Sequence, residues 1–224
     1  MFFSLPFPSL RSGRYVRPSL SLIAASGNFG APSANGDNIA NTEAHVIAVV
    51  GPMAAGKNYI CSKLEREGWA SVDADELVHT AITHVTSQIL EAFEKPAVAA
   101  GLNIKNTDGS INRRELGKLL FSRPELLAIQ ESIVYPEVIR LTEDFITKHE
   151  KTIINATVLY KTPELLARCQ KILFVTAPLL KRLRRARRRD HLPYRQIFRR
   201  FHAQRNLLKE YQKTGIPLEI IQNR

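Results

Sequence analysis

HVIAVVGPMAAGKNYICSKL, residues 45–64, decides the fold. Val46 to Val50 is a short, apolar, β-branched run that reads as a buried strand. Gly51, Gly56 and Lys57 then have the spacing G-x-x-x-x-G-K of a phosphate-binding loop. Lys57 to Arg66 reads as a helix. A loop between strand and helix turns backbone N–H groups inward as an anion nest, and the helix adds its positive end. Glycine is needed where φ turns positive or where a phosphate approaches the backbone. Lys57 is placed to reach the outer phosphates of a nucleotide as a mobile point charge.

The eighth position of the motif normally carries Ser or Thr, whose hydroxyl binds Mg²⁺. Here it is Asn58. Its side-chain carbonyl is also a hard oxygen, so it can meet the metal directly or through a water, or its NH₂ group can hold a phosphate oxygen. The alternative is a Gly-containing strand-to-helix turn with no ligand.

The 224 residues suit one α/β domain with a sizeable core. The formal net charge is +11, which favours polyanionic partners, phosphorylated small molecules or nucleic acid. Cys61 and Cys169 lie far apart without metal-ligand spacing. This points to a reducing cytoplasm rather than a disulfide framework. No apolar run is long enough to span a bilayer. Residues 1–44 are rich in Ser, Pro, Asn, Gly and Ala and lack periodicity, so they read as a disordered extension, with residues 45–224 as the folded domain. Their Arg and Ser content before Asp37 also suits an organelle transit peptide.

After Gly68, Trp69 to Val72 reads as a second strand that ends in Asp73 and Asp75. Ligands of an open α/β sheet sit at the carboxyl ends of its strands. Asp73 or Asp75 is therefore a candidate for holding a Mg²⁺ water or for accepting a proton from an attacking hydroxyl. Asp75 is equally a candidate N-cap of the following helix. His84 to Glu94, Ile111 to Phe121 and Pro124 to His149 read as helices, with a kink or break at Pro136. Arg113 suits a substrate phosphate contact, or a solvated helix face. Lys151 to Ala156, Lys171 to Thr176 and Pro217 to Gln222 read as further strands. This alternation predicts α/β architecture: a mostly parallel sheet between helical layers, with a helical insertion over about 76–149. Lys181 to Arg205 is dense in arginine, opposed only by Asp190, and Leu179, Leu180 and Leu183 offer it an apolar stripe. An Arg-rich lid over about 178–200 follows, where arginines can meet charge on a transferred phosphoryl group. A nucleic-acid surface is the competing reading. The run has few aromatics for base stacking, and no zinc-finger or RNP pattern is present.

G-x-x-x-x-G-K, V-D-A-D-E-L-V-H and D-G-S-I-N-R-R-E-L-G-K-L-L-F together resemble the dephospho-coenzyme A kinase family. The third segment matches the family form at Asp108, Gly109, Ile111, Arg113, Leu116, Gly117 and Phe121. The region of Arg185, Arg189, Asp190 and Gln204 is similar to the family's lid and the helix after it. The resemblance implies a P-loop kinase of the nucleoside-monophosphate-kinase type. It implies phosphorylation of the ribose 3′-hydroxyl of dephospho-coenzyme A with ATP and Mg²⁺, with small molecules as partners. On this reading Gly51, Ala54, Ala55, Gly56, Lys57, Asn58, Tyr59, Arg185 and Arg189 face ATP. Asp75, His79, Arg113 and Tyr135 face the acceptor, Asn58 and Asp75 serve the metal, and Lys57, Asp75 and Arg185 carry the chemistry. The chain departs from the family where Asn58 and Tyr59 replace Ser and Thr, and where Tyr135 replaces His before Pro136. The stretch Ala156 to Tyr160 also lacks the family's acidic residue.

Overall fold

β1 (His45–Val50) is the central strand of a five-stranded parallel sheet. The other strands are β2 (Ala70–Asp73), β3 (Lys151–Ala156), β4 (Lys171–Thr176) and β5 (Leu218–Gln222), in the order β2-β3-β1-β4-β5. The computed structural model describes residues 44–223. The expected N-terminal extension lies outside the described residues, apart from Ala44.

The alternation along β1 sorts its side chains onto two faces. Val46, Ala48 and Val50 pack with Ile154, Ile172, Phe174 and Tyr211. Ile47 and Val49 pack with Ile153, Leu173, Val175 and, from α1 (Lys57–Glu65), Ile60 and Cys61. Both faces are covered, as a parallel sheet requires. The register sets Val49 beside Asn155, and Asn155 beside Asp73. β3 and β4 leave β1 on opposite sides, so the crevice above the carboxyl end of β1 is the switch point of the sheet.

A second core joins α2 (Ala74–His84), α3 (Thr86–Ala99), α4 (Arg113–Ser122) and α5 (Pro124–Ile146) through Val78, Ile89, Phe93, Leu116, Leu119 and Val138. α5 runs past Pro136 as one helix, so of the kink or break read from the sequence the break does not occur. An interior proline costs about 3 kcal/mol. Burial of Leu126, Val134 and Val138 on the same helix offsets that cost. α7 (Leu179–Asp190) and α8 (Tyr194–Ala203) pack on the phosphate loop through Met53, Leu183, Ala186, Ile197 and Phe201. The expected Leu stripe is only partly used. Leu179 and Leu180 are exposed, because the packing face runs through Leu183 and Ala186 instead.

Gly51 has φ +152°, and a Cβ there would stand 2.2 Å from the Val175 carbonyl oxygen of β4. That oxygen belongs to an interior strand of the sheet and cannot step aside. We expect Gly51→Ala to lower stability by about 3 kcal/mol or more, at the severe end for one substitution. Thermal unfolding checks this, and a melting temperature within 2–3 °C of wild type, a shift worth about 1 kcal/mol or less, would contradict it.

Candidate active site

The loop between β1 and α1 takes its shape from two left-handed residues, Ala54 at φ 61° and Gly56 at φ 98°. Such alternation curls backbone amides around an anion. The outer side of the loop is fastened by distant side chains. Arg182 Nε donates to the Met53 carbonyl at 3.0 Å, and Gln204 Oε1 accepts from the Met53 N–H at 2.7 Å. Arg185 Nη1 and Asn223 Nδ2 both donate to the Ala55 carbonyl, at 3.2 and 2.9 Å. Arg182 also lies over the Phe201 ring, 4.2 Å from its centroid.

Lys57 Nζ donates to the Gly51 carbonyl at 3.3 Å and to Thr157 Oγ1 at 3.1 Å. Thr157 is placed by β3 and by Tyr211, whose hydroxyl donates to its carbonyl at 3.1 Å. Burial pushes the Lys57 ammonium below its ordinary pKa, while Asp75 and Asp73 pull the other way.

Ala54, Gly56, Lys57, Asn58, Arg185, Arg188 and Arg189 line an open cavity of about 540 Å³. Cations thus face one hollow from the loop and from α7. Arg189 is held by a two-pronged pair to Asp190, at 2.7 and 3.0 Å, and the Asp190 carboxylate is almost fully buried.

Asp73 and Asp75 divide their expected roles. Asp73 is the N-cap of α2, its Oδ1 accepting the Asp75 N–H at 2.9 Å. The cap read at Asp75 is corrected accordingly: β2 runs through Asp73 and the helix begins at Ala74, which puts Asp75 in the first turn. Burial raises the Asp75 carboxyl above the usual range; the charge of Lys57 opposes the shift and Asp73 reinforces it. Asp75 and Tyr135 share a smaller hollow with Val78, Val138, Leu159 and Lys161. At about 30 Å³ it holds about one water and is too small to enclose a nucleoside. Tyr135 donates to Glu131 at 3.1 Å, and Glu131 also accepts from Lys161 at 2.8 Å.

His79 and Arg113 meet, Arg113 Nη1 standing 2.7 Å from His79 Nδ1 and Nη2 reaching the His79 carbonyl at 3.3 Å. Burial, with the neighbouring Arg113 charge, pushes the His79 ring below its ordinary pKa. A neutral ring accepts from Arg113 and fixes it.

Four expected contacts fall differently. Tyr59 is 62% exposed and does not line the cavity. Gly51 and Ala55 act through their carbonyls, toward Lys57 and toward Arg185 and Asn223. The Asn58 carbonyl oxygen, read as a metal ligand, accepts from Asn155 Nδ2 at 3.0 Å. Asn155, Thr157, Arg188 and Asn223 were missed. The Asn155–Thr157 end of a strand read correctly was the available signal for two of them, and Arg188 lay within the Arg run. Nothing local marked Asn223.

Comparison with known proteins agrees with this geometry. The family model described as dephospho-CoA kinase matches residues 45–223. A dephospho-CoA kinase of Treponema pallidum is 34% identical over 165 residues, covering 71% of this chain and 78% of that protein. One from Treponema denticola is 33% identical over 190 residues, covering 82% and 84%. A crystal structure of a Thermus thermophilus protein superposes with a TM-score of 0.65 at 25% identity, covering 81% of this chain and 90% of that one.

Proposed function

The chain belongs to the dephospho-CoA kinase family, and on that premise we propose which of its residues carry the transfer of a phosphoryl group from ATP to the ribose 3′-hydroxyl of dephospho-CoA. The chain is a kinase, and the product is coenzyme A. The observation that carries the assignment is the cavity at the switch point, walled by Lys57, Arg185, Arg188 and Arg189, with the half-buried Asp75 near enough to Lys57 for their charges to interact.

Phosphoryl transfer asks for positioning and charge neutralisation. The loop receives the β- and γ-phosphates, with Lys57 between them. Arg185 and Arg189 meet the equatorial oxygens of the transferred group from α7, which closes as a lid together with α8. Asp75 takes the proton of the attacking 3′-hydroxyl. The new O–P bond forms as the bond to the β–γ bridging oxygen breaks, and ADP leaves. His79 and Arg113 form the acceptor side, with Arg113 set for a substrate phosphate, and Tyr135 flanks the hollow beside Asp75.

Mg²⁺ fits this donor set. It takes hard oxygens, one or two carboxylates with substrate phosphates and waters. Both Asp73 oxygens already accept hydrogen bonds, from the Asp75 N–H and from Asn155. Asp75 is therefore the carboxylate that would hold the ion, through a water. When bound, the ion neutralises charge on the β- and γ-oxygens.

No helix among the described residues is long and apolar enough to cross a membrane. Both cysteines are free and buried, which supports a cytoplasmic setting.

As a proton acceptor Asp75 must be ionised. Its raised pKa moves the acidic limb of kcat/KM above the ordinary carboxylate value of 3.8. kcat/KM is full above the raised pKa and falls as pH drops through it. A kcat/KM–pH profile flat down to pH 4 would remove Asp75 as the base. The assignment itself is tested by incubation with ATP and dephospho-CoA. The product should gain one phosphoryl group, located on the ribose 3′-oxygen by ³¹P NMR. Phosphate released with the acceptor unchanged would overturn it.

A further inference from the structure

The three polar side chains at the ends of β2, β3 and the loop form a relay. Asn155 Nδ2 donates at 3.0 Å to Asp73 Oδ2 and at 3.0 Å to Asn58 Oδ1. Asn155 is 4% exposed, and its own Oδ1 is buried with no hydrogen-bond partner among the described residues.

The direction of this relay follows from donor chemistry. The Asp73 carboxylate only accepts, so the Asn155 nitrogen must face it. The same nitrogen faces Asn58, so the Asn58 oxygen must turn inward to accept. The Asn58 NH₂ group is then left on the other side of its amide. Asn58 is exposed and lines the 540 Å³ cavity with Lys57 and Arg185. An orphaned buried oxygen costs about 1–3 kcal/mol, so Asn155 holds this orientation at a cost to stability.

We infer that Asn155, anchored on Asp73, is a positioning residue that turns the Asn58 amide so that its NH₂ group, not its carbonyl, faces the donor phosphate. Asn58 thereby acts as a phosphate donor and not as a metal ligand. A hydroxyl at this position serves the metal through oxygen; an amide locked this way serves the anion through nitrogen. The reaction's metal is left to the phosphates and Asp75. The inference rests on the donor-site reading above.

Equilibrium binding of ATP in EDTA tests it without acceptor or metal. A hydrogen bond to a charged group is worth about tenfold or more in affinity. Asn58→Ala and Asn155→Ala should each weaken metal-free ATP binding by about tenfold, with no further loss in the double variant. Asn58→Asp keeps the shape but removes the NH₂ group and adds charge. It should weaken metal-free ATP binding more than Asn58→Ala does, and it should not tighten Mg-ATP. Because Asn155 is buried, Asn155→Ala can fail to fold; the exposed Asn58→Asp variant then decides alone. Losses that multiply in the double variant, or Mg-ATP binding tightened by Asn58→Asp, would overturn the relay. Lys57→Ala is the control. If it weakens ATP binding while the Asn variants do not, the relay is wrong and the donor site stands. If none of the variants weakens ATP binding, the donor-site reading fails with it.

Discussion

Lys57→Ala lowers kcat/KM by about a hundredfold or more and leaves the fold intact. The loss comes from the charge that meets the donor phosphates. The intact fold follows from where the ammonium sits. It is held by one carbonyl and one hydroxyl, Gly51 and Thr157, and its burial already disfavours the charged form. Alanine therefore removes a desolvated charge and two modest hydrogen bonds, a near balance for stability. Steady-state kinetics beside a thermal melt check both halves. Near-wild-type turnover would show that the loop is not where ATP binds.

Asp75→Asn lowers kcat by about a hundredfold to ten-thousandfold, with smaller changes in either KM. The amide keeps the size of the carboxyl but cannot take the proton in the transition state. The helix start survives, because the cap is Asp73 and its bond is to the Asp75 backbone N–H. The contrast is Asp73→Ala, which loses that cap, a loss of about 1 kcal/mol of stability, and one anchor of Asn155. If Asp75→Asn lost stability and kept its kcat, Asp75 would be structural.

The elements around the loop were legible because each is written locally. A β-branched run, a glycine spacing and a helical period lie within one stretch of chain from His45 to Leu64. The arginines of α7 were legible as a run, and three of them, Arg185, Arg188 and Arg189, line the cavity with Lys57. What was not legible depends on strand order. Thr157 reaches Lys57 across 100 positions, Asn155 reaches Asn58 across 97, and Asn223 reaches Ala55 across 168. The strand end that carries Asn155 and Thr157 is legible, but which residues they meet is not, since the parallel order β2-β3-β1-β4-β5 alone brings them together, and nothing local marks Asn223. The cap was misplaced by two residues because Asp73 and Asp75 are both good caps, and only the end of β2 decides between them. The apolar stripe of α7 was misjudged because Leu179 and Leu180 precede the part of the helix that packs on the loop. Both ends of the Asn58 amide were open from the sequence, the oxygen toward the metal or the NH₂ group toward a phosphate, and the partner that claims the oxygen lies on β3.

The most direct test of the assignment is ADP release measured with dephospho-CoA, AMP, shikimate and no acceptor in parallel. The account predicts ADP formation that depends on dephospho-CoA and stays near the no-acceptor rate with AMP and shikimate. ADP formation equal with and without dephospho-CoA would contradict it.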